Sequence, residues 1–476
     1  MSKPRISFLT QEEMEAIHNA SLQVLEKTGI KVMSKSALDI LKKAGAKVDY
    51  ETNHASIPRN AVEEALKVAP KTITYGARNP EHDFLLNKQE AHFCVVGMPP
   101  FVLDVETGRR RNSTTEDLAS FSIVADYLEH VDVIWPAVVT TEVPEPMQCL
   151  MEFITVTRNT TKHLEHEALN ARDAQYQIEI AAAIVGGREE LKKRPIISAV
   201  ACTISPLTYD KGISEGAIEY AKAGIPVVVM PMPMVGTTGP AMLAGAMVVN
   251  NAEFLGSLVM QEFASPGAPV VYSAGVGVVD FKTGSEIESP EGNLVHLGFS
   301  QMAHYYGLPS EIGITGGTTA KVLDTQAGYE RARTILTHVL TFPDIALGLG
   351  CLDRALLMSL EALVIDNEII DYALRFVEGF EVNDDTLAVD IIDKVGPGGI
   401  YLGEKHTVQH FRERWMSRLS DISSFETWEK QGSRSIDEVA RGKVREILAT
   451  HKVTPLPEDV EKEIGRILKR AEAELL

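Results

Sequence analysis

A glycine-rich turn with hydroxyl groups carries the residues of this chain best suited to holding a ligand. Gly316, Gly317, Thr318 and Thr319 follow a short apolar run and precede a segment of helical character. Glycine has no Cβ, so a ligand can approach the backbone closely at such positions. A loop between a strand and a helix presents backbone N–H groups and small polar side chains to a ligand. These four residues are therefore candidate binding residues, with an ordinary turn as the alternative.

Two other polar features could support a different chemistry. The stretch HLEHE, residues 163–167, brings two histidines and two acids together. Residues three apart on a strand point to opposite faces, so His163 and His166 cannot bind the same ion, and we predict no metal site. Lys321 could form a Schiff base with a carbonyl compound, as in a lyase, or it could simply face solvent.

Aromatic rings and one histidine could bind a charged substrate. Trp135 and Tyr272 fall within apolar runs, and the face of an aromatic ring attracts an ammonium group. His406 follows the glycine-rich stretch GPGGIYLGEK and could donate a hydrogen bond to a substrate. The alternatives are core packing for the two aromatic residues and a structural hydrogen bond for His406. The sequence assigns no catalytic acid, base or nucleophile.

Buried-type apolar runs that alternate with helical segments predict the scaffold for these residues. Seven runs occupy residues 131–139, 161–169, 194–204, 225–235, 268–279, 310–317 and 343–351, and an eighth is expected at 398–407. Continuous apolar strands between helices indicate a parallel sheet covered by helices. The count of eight favours an α/β protein with a closed (β/α)₈ TIM-type barrel. A doubly wound open sheet is the alternative, but no GxGxxG follows the first strand.

The regions before and after the alternating apolar runs and helical segments are predicted to form two extensions of the barrel. Residues 1–128 are expected to form a helical module, which begins with a helix capped by Thr10 and includes a β-hairpin at 92–108. Residues 129–412 would form the barrel. Residues 413–476 are polar with helical character and would form a C-terminal helical tail.

Composition narrows the class of protein. With 45% hydrophobic and 24% charged residues, the chain is typical of globular proteins, and its formal net charge of −20 argues against nucleic acid and anionic membranes as partners. No segment reaches the roughly 18 apolar residues of a membrane span. The four cysteines are widely spaced without a CxxC pair, so we expect a reducing, cytoplasmic location and no disulfide framework.

Several long motifs resemble one enzyme family. These motifs are PLTYDKGISEGAIEYAKAGIPVVVMPMPMVGTTGPAMLAGA, EFLGSLVMQEFASPGAPVVYSAG, GLPSEIGITGGTTAKVLDTQAGYE and GPGGIYLGEKHTVQHFRE. The likeness covers most of the chain. The chain is similar to the trimethylamine:corrinoid methyltransferase family. This resemblance implies a (β/α)₈ barrel that moves a methyl group from an amine to Co(I) of a separate small corrinoid protein. The chain itself would then bind no cofactor, and a homo-oligomer is compatible with the resemblance.

One departure from the family bears on the substrate. The trimethylamine enzymes carry pyrrolysine in the loop that corresponds to about Gly316–Thr318, whereas this chain reads Gly-Gly-Thr-Thr there. It therefore resembles the branch without pyrrolysine, which implies a quaternary amine such as glycine betaine, proline betaine or carnitine as substrate. Trp135 and Tyr272 would hold the cation, and His406, Thr318 or Thr319 the betaine carboxylate. A Schiff-base lyase and a non-catalytic betaine-binding protein remain as alternatives.

Overall fold

A closed barrel of eight parallel strands forms the centre of the molecule in a computed structural model that describes residues 4–313 and 316–476. We number the barrel strands in chain order as β1 (His92–Val95), β2 (Val133–Ile134), β3 (His163–Glu167), β4 (Ile197–Cys202), β5 (Val227–Met230), β6 (Val270–Ala274), β7 (Ser310–Gly313) and β8 (Ile345–Leu349). Each strand pairs with its neighbour, and β8 and β2 both pair with β1 to close the circle. The predicted α/β class and barrel are confirmed.

One long helix follows each barrel strand. These helices are α1 (Thr115–Tyr127), α2 (Glu145–Asn159), α3 (Ala171–Val185), α4 (Lys211–Ala223), α5 (Leu243–Ala264), α6 (Pro290–Tyr306), α7 (Thr325–Thr341) and α8 (Leu360–Glu378). Several begin at a residue whose side chain accepts a hydrogen bond from the first turn, such as Thr114 before α1 and Asp324 before α7. Because the helices run antiparallel to the strands, the loops after each strand gather at one end of the barrel, the mouth.

The strand predicted at 398–407 is wrong. The eighth strand is β1, His92–Val95, which the sequence had assigned to a hairpin in the N-terminal extension. Pairing of β1 with β8 leaves no open edge for another strand. Residues 398–407 instead hold a 3₁₀ turn, Tyr401–Gly403, and the start of a short helix, Lys405–His410, with Ile400 and Leu402 exposed. Glycines at 398, 399 and 403 interrupt this segment, and the exposed Ile400 and Leu402 do not pack against a second layer. Both features disfavour a strand here.

The N-terminal region packs helices and small sheets against the barrel. Its helices are Gln11–Gln23, which continues as a π-helical turn Val24–Thr28, Lys35–Lys43 and Arg59–Val68, with a 3₁₀ turn at Pro80–His82. Thr10 and Glu13 form the capping box of the first helix, as the sequence predicts. Ile30–Val32, His54–Ser56 and Lys47–Asp49 form a sheet with Thr208–Tyr209. A separate hairpin, Ile73–Tyr75 with Phe84–Leu86, closes the end of the barrel opposite the mouth.

Short strands and helices lie at the mouth and in the C-terminal region. Phe101–Leu103 pairs with Arg110–Asn112 and with Leu357–Met358, and Leu357–Met358 also pairs with Cys351–Leu352. Val278–Asp280 and Ser285–Ile287 form a hairpin after β6. Helix Arg188–Lys193 follows α3. After α8 come Asp384–Leu387, Val389–Val395, Tyr401–Gly403, Lys405–His410, Phe411–Glu413 and Phe425–Lys430. The last two helices, Ile436–Thr450 and Glu458–Leu475, return to pack on α8 and α1 and on α3 and α2.

Helix α5 is long and apolar enough to cross a membrane by length and composition alone. Within its most apolar window, 72% of the residues are buried inside the protein. The helix packs against β5, β6 and the N-terminal helices. Its apolar character is therefore that of a core helix.

Candidate active site

Two carboxyl groups lie inside the barrel. Side chains alternate along β3, so His163 and Glu165 face the barrel axis while His166 faces α2, where its ring bonds the carbonyl of Cys149. Glu311 on β7 reaches the same interior, and both glutamates are fully buried. A side-chain oxygen of each glutamate and the Sγ atom of Cys94 on β1 all lie within 4.8 Å of one another. Three strands thus bring their polar side chains to one point.

Burial raises the pKa of both carboxyl groups. The pKa of Glu165 rises to about 7 because the group is removed from water, although hydrogen bonds with Glu311 and Ser198 partly offset this effect. The pKa of Glu311 lies well above its usual value for the same reason, and the neighbouring charge of Glu165 raises it further. Around neutral pH the pair therefore keeps a proton on Glu311 and carries at most one negative charge, on Glu165.

Three oxygen atoms of this carboxyl pair have unused hydrogen-bonding capacity. Apart from the contact between the two carboxyl groups, neither oxygen of Glu311 nor Oε1 of Glu165 has a hydrogen-bond partner among the described residues. Buried polar atoms are normally paired in folded proteins. The unpaired oxygens therefore mark the pair as a place where a polar or cationic ligand would gain binding energy.

A chain of hydrogen bonds connects Glu165 to the closed end of the barrel. Ser198 lies 2.8 Å from Oε2 of Glu165 and 3.0 Å from Nε2 of His163, whose Nδ1 is 2.6 Å from the carbonyl oxygen of Gly76. Burial lowers the pKa of His163 to about 3, so the ring is neutral and its Nδ1–H donates to that carbonyl. Tyr75 stacks on the ring at 4.1 Å between centroids. The hydroxyl of Ser198 can donate to Glu165 when that carboxylate is charged and to His163 when it is not.

Cys94, Glu165 and Glu311 also form the donor set in the described structure that could hold a metal ion. One thiolate and two carboxylates would suit a divalent cation such as Zn²⁺. Burial raises the pKa of the Cys94 thiol, and the two glutamates raise it further, so a metal would have to displace that proton. The predicted separation of His163 and His166 onto opposite faces is confirmed, but this histidine-free set escaped the sequence reasoning.

Trp135 lies just beyond β2, in the wall of the barrel interior. It belongs to the same buried apolar cluster as Cys94, Val228 and Met230, and its Nε1 atom has no hydrogen-bond partner among the described residues. A Cβ atom at Gly97 would lie 2.2 Å from the indole ring, so only glycine leaves room for it there. Of the two predicted aromatic binding residues, Trp135 is therefore near the carboxyl pair.

Tyr272 lies on the other face of its strand. It is fully buried between β6 and the surrounding helices, with its ring 4.4 Å from that of Phe254 and its hydroxyl donating to Asn251. The residue before it and the residue after it, Val271 and Ser273, occupy the opposite face of β6. A one-residue difference in register moves a side chain from the barrel interior to the helix layer. The structure does not bring Tyr272 together with Trp135.

The glycine loop after β7 is fastened to α7. Its neighbours Ile314 and Thr315, part of the strand predicted at 310–317, lie outside the described residues. Gly316 adopts a φ of +71° and lies against Asp366, while Gly317 is buried beside it. The Thr318 hydroxyl donates to Glu330 at 2.5 Å, and the Thr319 backbone N–H donates to the same carboxylate at 2.9 Å. The threonines thus hold the loop in place.

Two other predicted residues lie away from the barrel interior. The side chain of Lys321 is 63% exposed, and its Nζ atom is 3.1 Å from Asp353 in an ion pair on the surface. A charged, solvated amine is a poor Schiff-base nucleophile, so this geometry does not favour the lyase hypothesis. His406 lies on the short helix Lys405–His410, beyond α8, with its ring 4.5 Å from that of His410.

An apolar rim surrounds the mouth. Six successive loops after strands β3 to β8 each present a large hydrophobic side chain that is at least 42% exposed: Leu169, Ile204, Met232, Phe281, Val322 and Leu356. Scattered single apolar residues are ordinary on a protein surface, but a ring of them around a ligand site indicates an interaction surface.

Comparison with known proteins identifies the family. The family model described as trimethylamine methyltransferase (MTTB) matches residues 1–475. The chain belongs to the trimethylamine methyltransferase (MTTB) family. It is 33% identical over 466 residues to a trimethylamine methyltransferase of Desulfitobacterium hafniense strain DCB-2, covering 98% of this chain and 94% of the relative. It is 31% identical over 465 residues to a glycine betaine methyltransferase of D. hafniense strain Y51, covering 97% and 96%.

A solved structure supports the fold of this MTTB family member. The crystal structure of the monomethylamine methyltransferase of Methanosarcina barkeri has a TM-score of 0.53 and 12% sequence identity, and the match covers 98% of this chain and 88% of that chain. At this identity the likeness concerns the fold alone. Together with the relatives, whose names all describe methyltransferases, the family shows that this chain is a methyltransferase.

Glu311, Cys94 and Ser198 are candidate site residues that sequence reasoning on this MTTB family member missed. A signal was present at Glu311, which stands in the apolar strand run 310–317, where an acid is costly to bury unless it has a partner. Glu165 gave no such signal, because its strand reads HLEHE. Their meeting could not be read from the sequence, since it depends on strand order and register around the closed barrel. Cys94 was hidden because its strand had been placed outside the barrel.

Proposed function

We propose that this methyltransferase removes a methyl group from a quaternary amine, with glycine betaine as the first candidate, and transfers it to Co(I) of a separate corrinoid protein. The observation that carries the proposal is the buried carboxyl pair, Glu165 and Glu311, which lies in the barrel interior with Trp135 in the same wall. The glycine betaine methyltransferase among the relatives supports the choice of substrate class.

The charge of the pair matches that of a quaternary ammonium group. With Glu311 protonated, the pair offers one negative charge, and a quaternary amine carries one positive charge. A buried charge is costly unless it has a partner, so the cation would stabilise the ionised form of Glu165. The indole of Trp135 offers a face to the N-methyl groups, which cannot donate conventional hydrogen bonds.

The leaving group explains why this site can work without an acid catalyst. In the transfer, the electron pair of Co(I) attacks the methyl carbon while the C–N bond breaks and leaves its electron pair on nitrogen. A quaternary amine departs as a neutral tertiary amine, so no proton is needed. The protein's task is to orient the N–CH₃ bond towards the mouth and to exclude water. The Gly-Gly-Thr-Thr loop also lacks the pyrrolysine that the family resemblance places there in trimethylamine enzymes.

The mouth is suited to a protein partner that delivers the acceptor. The apolar rim, Leu169 to Leu356, lies at the mouth, and the hairpin with Tyr75 and Phe84 closes the other end of the barrel. A transient interface of ordinary size combines such apolar contacts with a polar surround. The corrinoid protein would therefore bind across the rim and present its cobalt to the bound amine.

The proposal is tested by incubating the purified chain with a reduced corrinoid protein and glycine betaine. We expect dimethylglycine, measured by mass spectrometry, in equal amount to the methylcobalamin formed, measured by absorbance. Proline betaine, carnitine and trimethylamine tested in parallel define the specificity. Demethylation of trimethylamine with no turnover of any quaternary amine would overturn the proposed substrate class, and no methyl transfer from any amine would overturn the acceptor.

A further inference from the structure

The carboxyl pair and the Cys94 thiol offer donor atoms from three strands at one point inside the barrel. Cys94 comes from β1, Glu165 from β3 and Glu311 from β7, and one donor atom of each lies within 4.8 Å of the other two. A tetrahedral Zn²⁺ with Zn–S bonds of about 2.3 Å and Zn–O bonds of about 2.0–2.2 Å spaces its ligands about 3.3–3.7 Å apart. Small rotations of the side chains therefore bring the three atoms to metal-binding distances.

The two carboxyl groups have lone pairs available for a metal. Apart from the contact between them, Oε1 of Glu165 and both oxygens of Glu311 have no hydrogen-bond partner among the described residues. Ser198 holds the other oxygen of Glu165, Oε2, at 2.8 Å. A hydrogen bond of this kind to a ligating carboxylate fixes its orientation and is typical of metal sites. Glu165 is thus both oriented and free to bind at one oxygen.

The donor set favours a thiophilic cation such as Zn²⁺ over Mg²⁺ or Ca²⁺. Thiolate sulfur is a zinc ligand, whereas Mg²⁺ and Ca²⁺ need six or more oxygen ligands. The barrel wall around Cys94 is apolar, with side chains such as Val133 and Val200 that offer no oxygen. His163 is also engaged elsewhere, because Nδ1 lies 2.6 Å from the carbonyl oxygen of Gly76 and Nε2 lies 3.0 Å from Ser198.

Three protein ligands leave one position of a tetrahedral metal open. The side towards the closed end is filled by Ser198, His163 and Tyr75. The open position therefore faces the mouth, where a water molecule or a small ligand can reach it. Zinc sites with three protein ligands exchange the fourth ligand, whereas sites with four protein ligands are structural.

We propose that Cys94, Glu165 and Glu311 form a binding site for Zn²⁺, and that the metal and the quaternary amine exclude each other there. The metal replaces the proton of the Cys94 thiol and the proton held by Glu311, and both protons leave to solvent. Zn²⁺ is then held by one thiolate and two carboxylates. The ammonium group needs the same carboxyl oxygens, and two cations in contact repel each other. This exclusion rests on the proposed function, whereas the metal site itself does not.

The test is metal binding by the full-length protein after treatment with a chelator and removal of the chelator. We expect one Zn²⁺ per chain by elemental analysis after gel filtration, and no comparable binding of Mg²⁺. Co²⁺, which occupies zinc sites, should give a sulfur-to-cobalt charge-transfer band in the near ultraviolet. Cys94→Ser should lose this band and bind Zn²⁺ about tenfold or more weakly. Cys351→Ser is the matched control, because Cys351 is also fully buried but lies outside the donor set, and it should behave like the native protein.

Two results overturn the metal site. A native protein that binds Zn²⁺ no more tightly than Mg²⁺ is the first. The second is a charge-transfer band that persists in Cys94→Ser, because the thiolate would then come from another cysteine. Glu311→Gln keeps the shape of its side chain and provides a second variant. It should also weaken Zn²⁺ binding about tenfold or more, and an unchanged affinity would exclude Glu311 as a ligand.

Glycine betaine connects the metal site to the amine site. Added to the Co²⁺ protein, it should bleach the charge-transfer band, and Zn²⁺ should raise KM for glycine betaine without changing kcat. Turnover of glycine betaine with a KM that Zn²⁺ does not change overturns the mutual exclusion. Zn²⁺ binding by a protein that demethylates no amine supports the metal site and counts against the proposed function alone, so the two failures are distinguishable.

Discussion

At the scale of single residues, Glu165 and Glu311 have similar surroundings but are expected to play different parts. Glu311 is held protonated by burial and by its neighbour, so Glu311→Gln preserves both its shape and its charge. Glu165→Gln instead removes the one negative charge of the pair. We expect KM for glycine betaine to rise about tenfold or more in Glu165→Gln, the equivalent of about 1.4 kcal/mol, and about threefold or less in Glu311→Gln.

Steady-state kinetics at pH 8, where Glu165 is ionised, decide this prediction. Circular dichroism spectra of both variants provide the control for folding. Equal effects of the two substitutions would contradict the assignment of the proton to Glu311.

The same pair gives stability a pH dependence of known sign. The pKa of Glu165 rises from 4.5 to about 7 on folding, so the native state binds a proton that the unfolded chain has already released. Stability from this group is therefore complete at low pH and is lost as pH rises from about 4.5 through about 7. A shift of this size corresponds to roughly 3 kcal/mol.

The variant Glu165→Gln/Glu311→Gln should remove this contribution. Urea unfolding at pH 5 and at pH 8 should show the double variant gaining stability relative to the native protein at the higher pH. Glu64→Gln, at an exposed helix position, serves as the control and should leave the difference unchanged. A double variant whose stability relative to the native protein is the same at both pH values would contradict the shifted pKa.

At the scale of elements, the sequence predicted what local chemistry determines. Apolar runs flanked by turn residues located seven of the eight barrel strands, because a strand buried on both faces must be apolar along its length. The capping residue Thr10 likewise predicted its helix. The strand at 92–95 was misplaced because barrel closure depends on contacts across more than 250 residues, from His92 to Ile345. Neither partner strand carries a local signal of the other.

The candidate site was predicted less well for the same reason. Trp135 lies in the wall of the barrel interior, whereas Tyr272 is one residue away from the inward register of β6. The two residues before Tyr272, Val270 and Val271, are both apolar, and the two after it, Ser273 and Ala274, are both small, so alternation gives no sign of which face is inside. His406 could be assigned to a mouth only by counting a strand that does not form.

The buried ion pair between α7 and α8 should control the stability of the loop region. Arg331 donates from Nε to Asp366 at 2.8 Å, and Asp366 also accepts the backbone N–H of Gly350 at 2.8 Å and lies against Gly316. Arg331→Met leaves Asp366 buried without its cation, which should cost about 3–5 kcal/mol. Urea denaturation measures this loss.

The double variant Arg331→Met/Asp366→Asn should recover part of that stability, because it removes the unpaired charge and keeps an acceptor for Gly350. If the double variant were no more stable than Arg331→Met, the loss would come from packing of the arginine side chain and not from an uncompensated charge.

At the scale of the whole molecule, the two ends of the barrel differ. The hairpin with Tyr75 and Phe84 closes one end, and the apolar rim lies at the mouth. A partner protein that binds at the rim is therefore separated from the closed end by the depth of the barrel. Substitutions at the two ends should affect the binding of that partner differently.

The rim provides the sharpest test of that difference. An aspartate in place of Phe281, 71% exposed at the tip of the hairpin after β6, removes an apolar contact and adds a charge to be desolvated. Loss of one well-placed apolar contact costs about 1–2 kcal/mol in an interface. We expect Phe281→Asp to raise KM for the corrinoid protein about tenfold or more, while KM for the amine stays unchanged. Leu85→Asp serves as the control, because Leu85 is an exposed apolar residue of the hairpin at the closed end, and it should leave both KM values unchanged. If the two substitutions changed KM for the corrinoid protein equally, the rim would not be the surface that binds it.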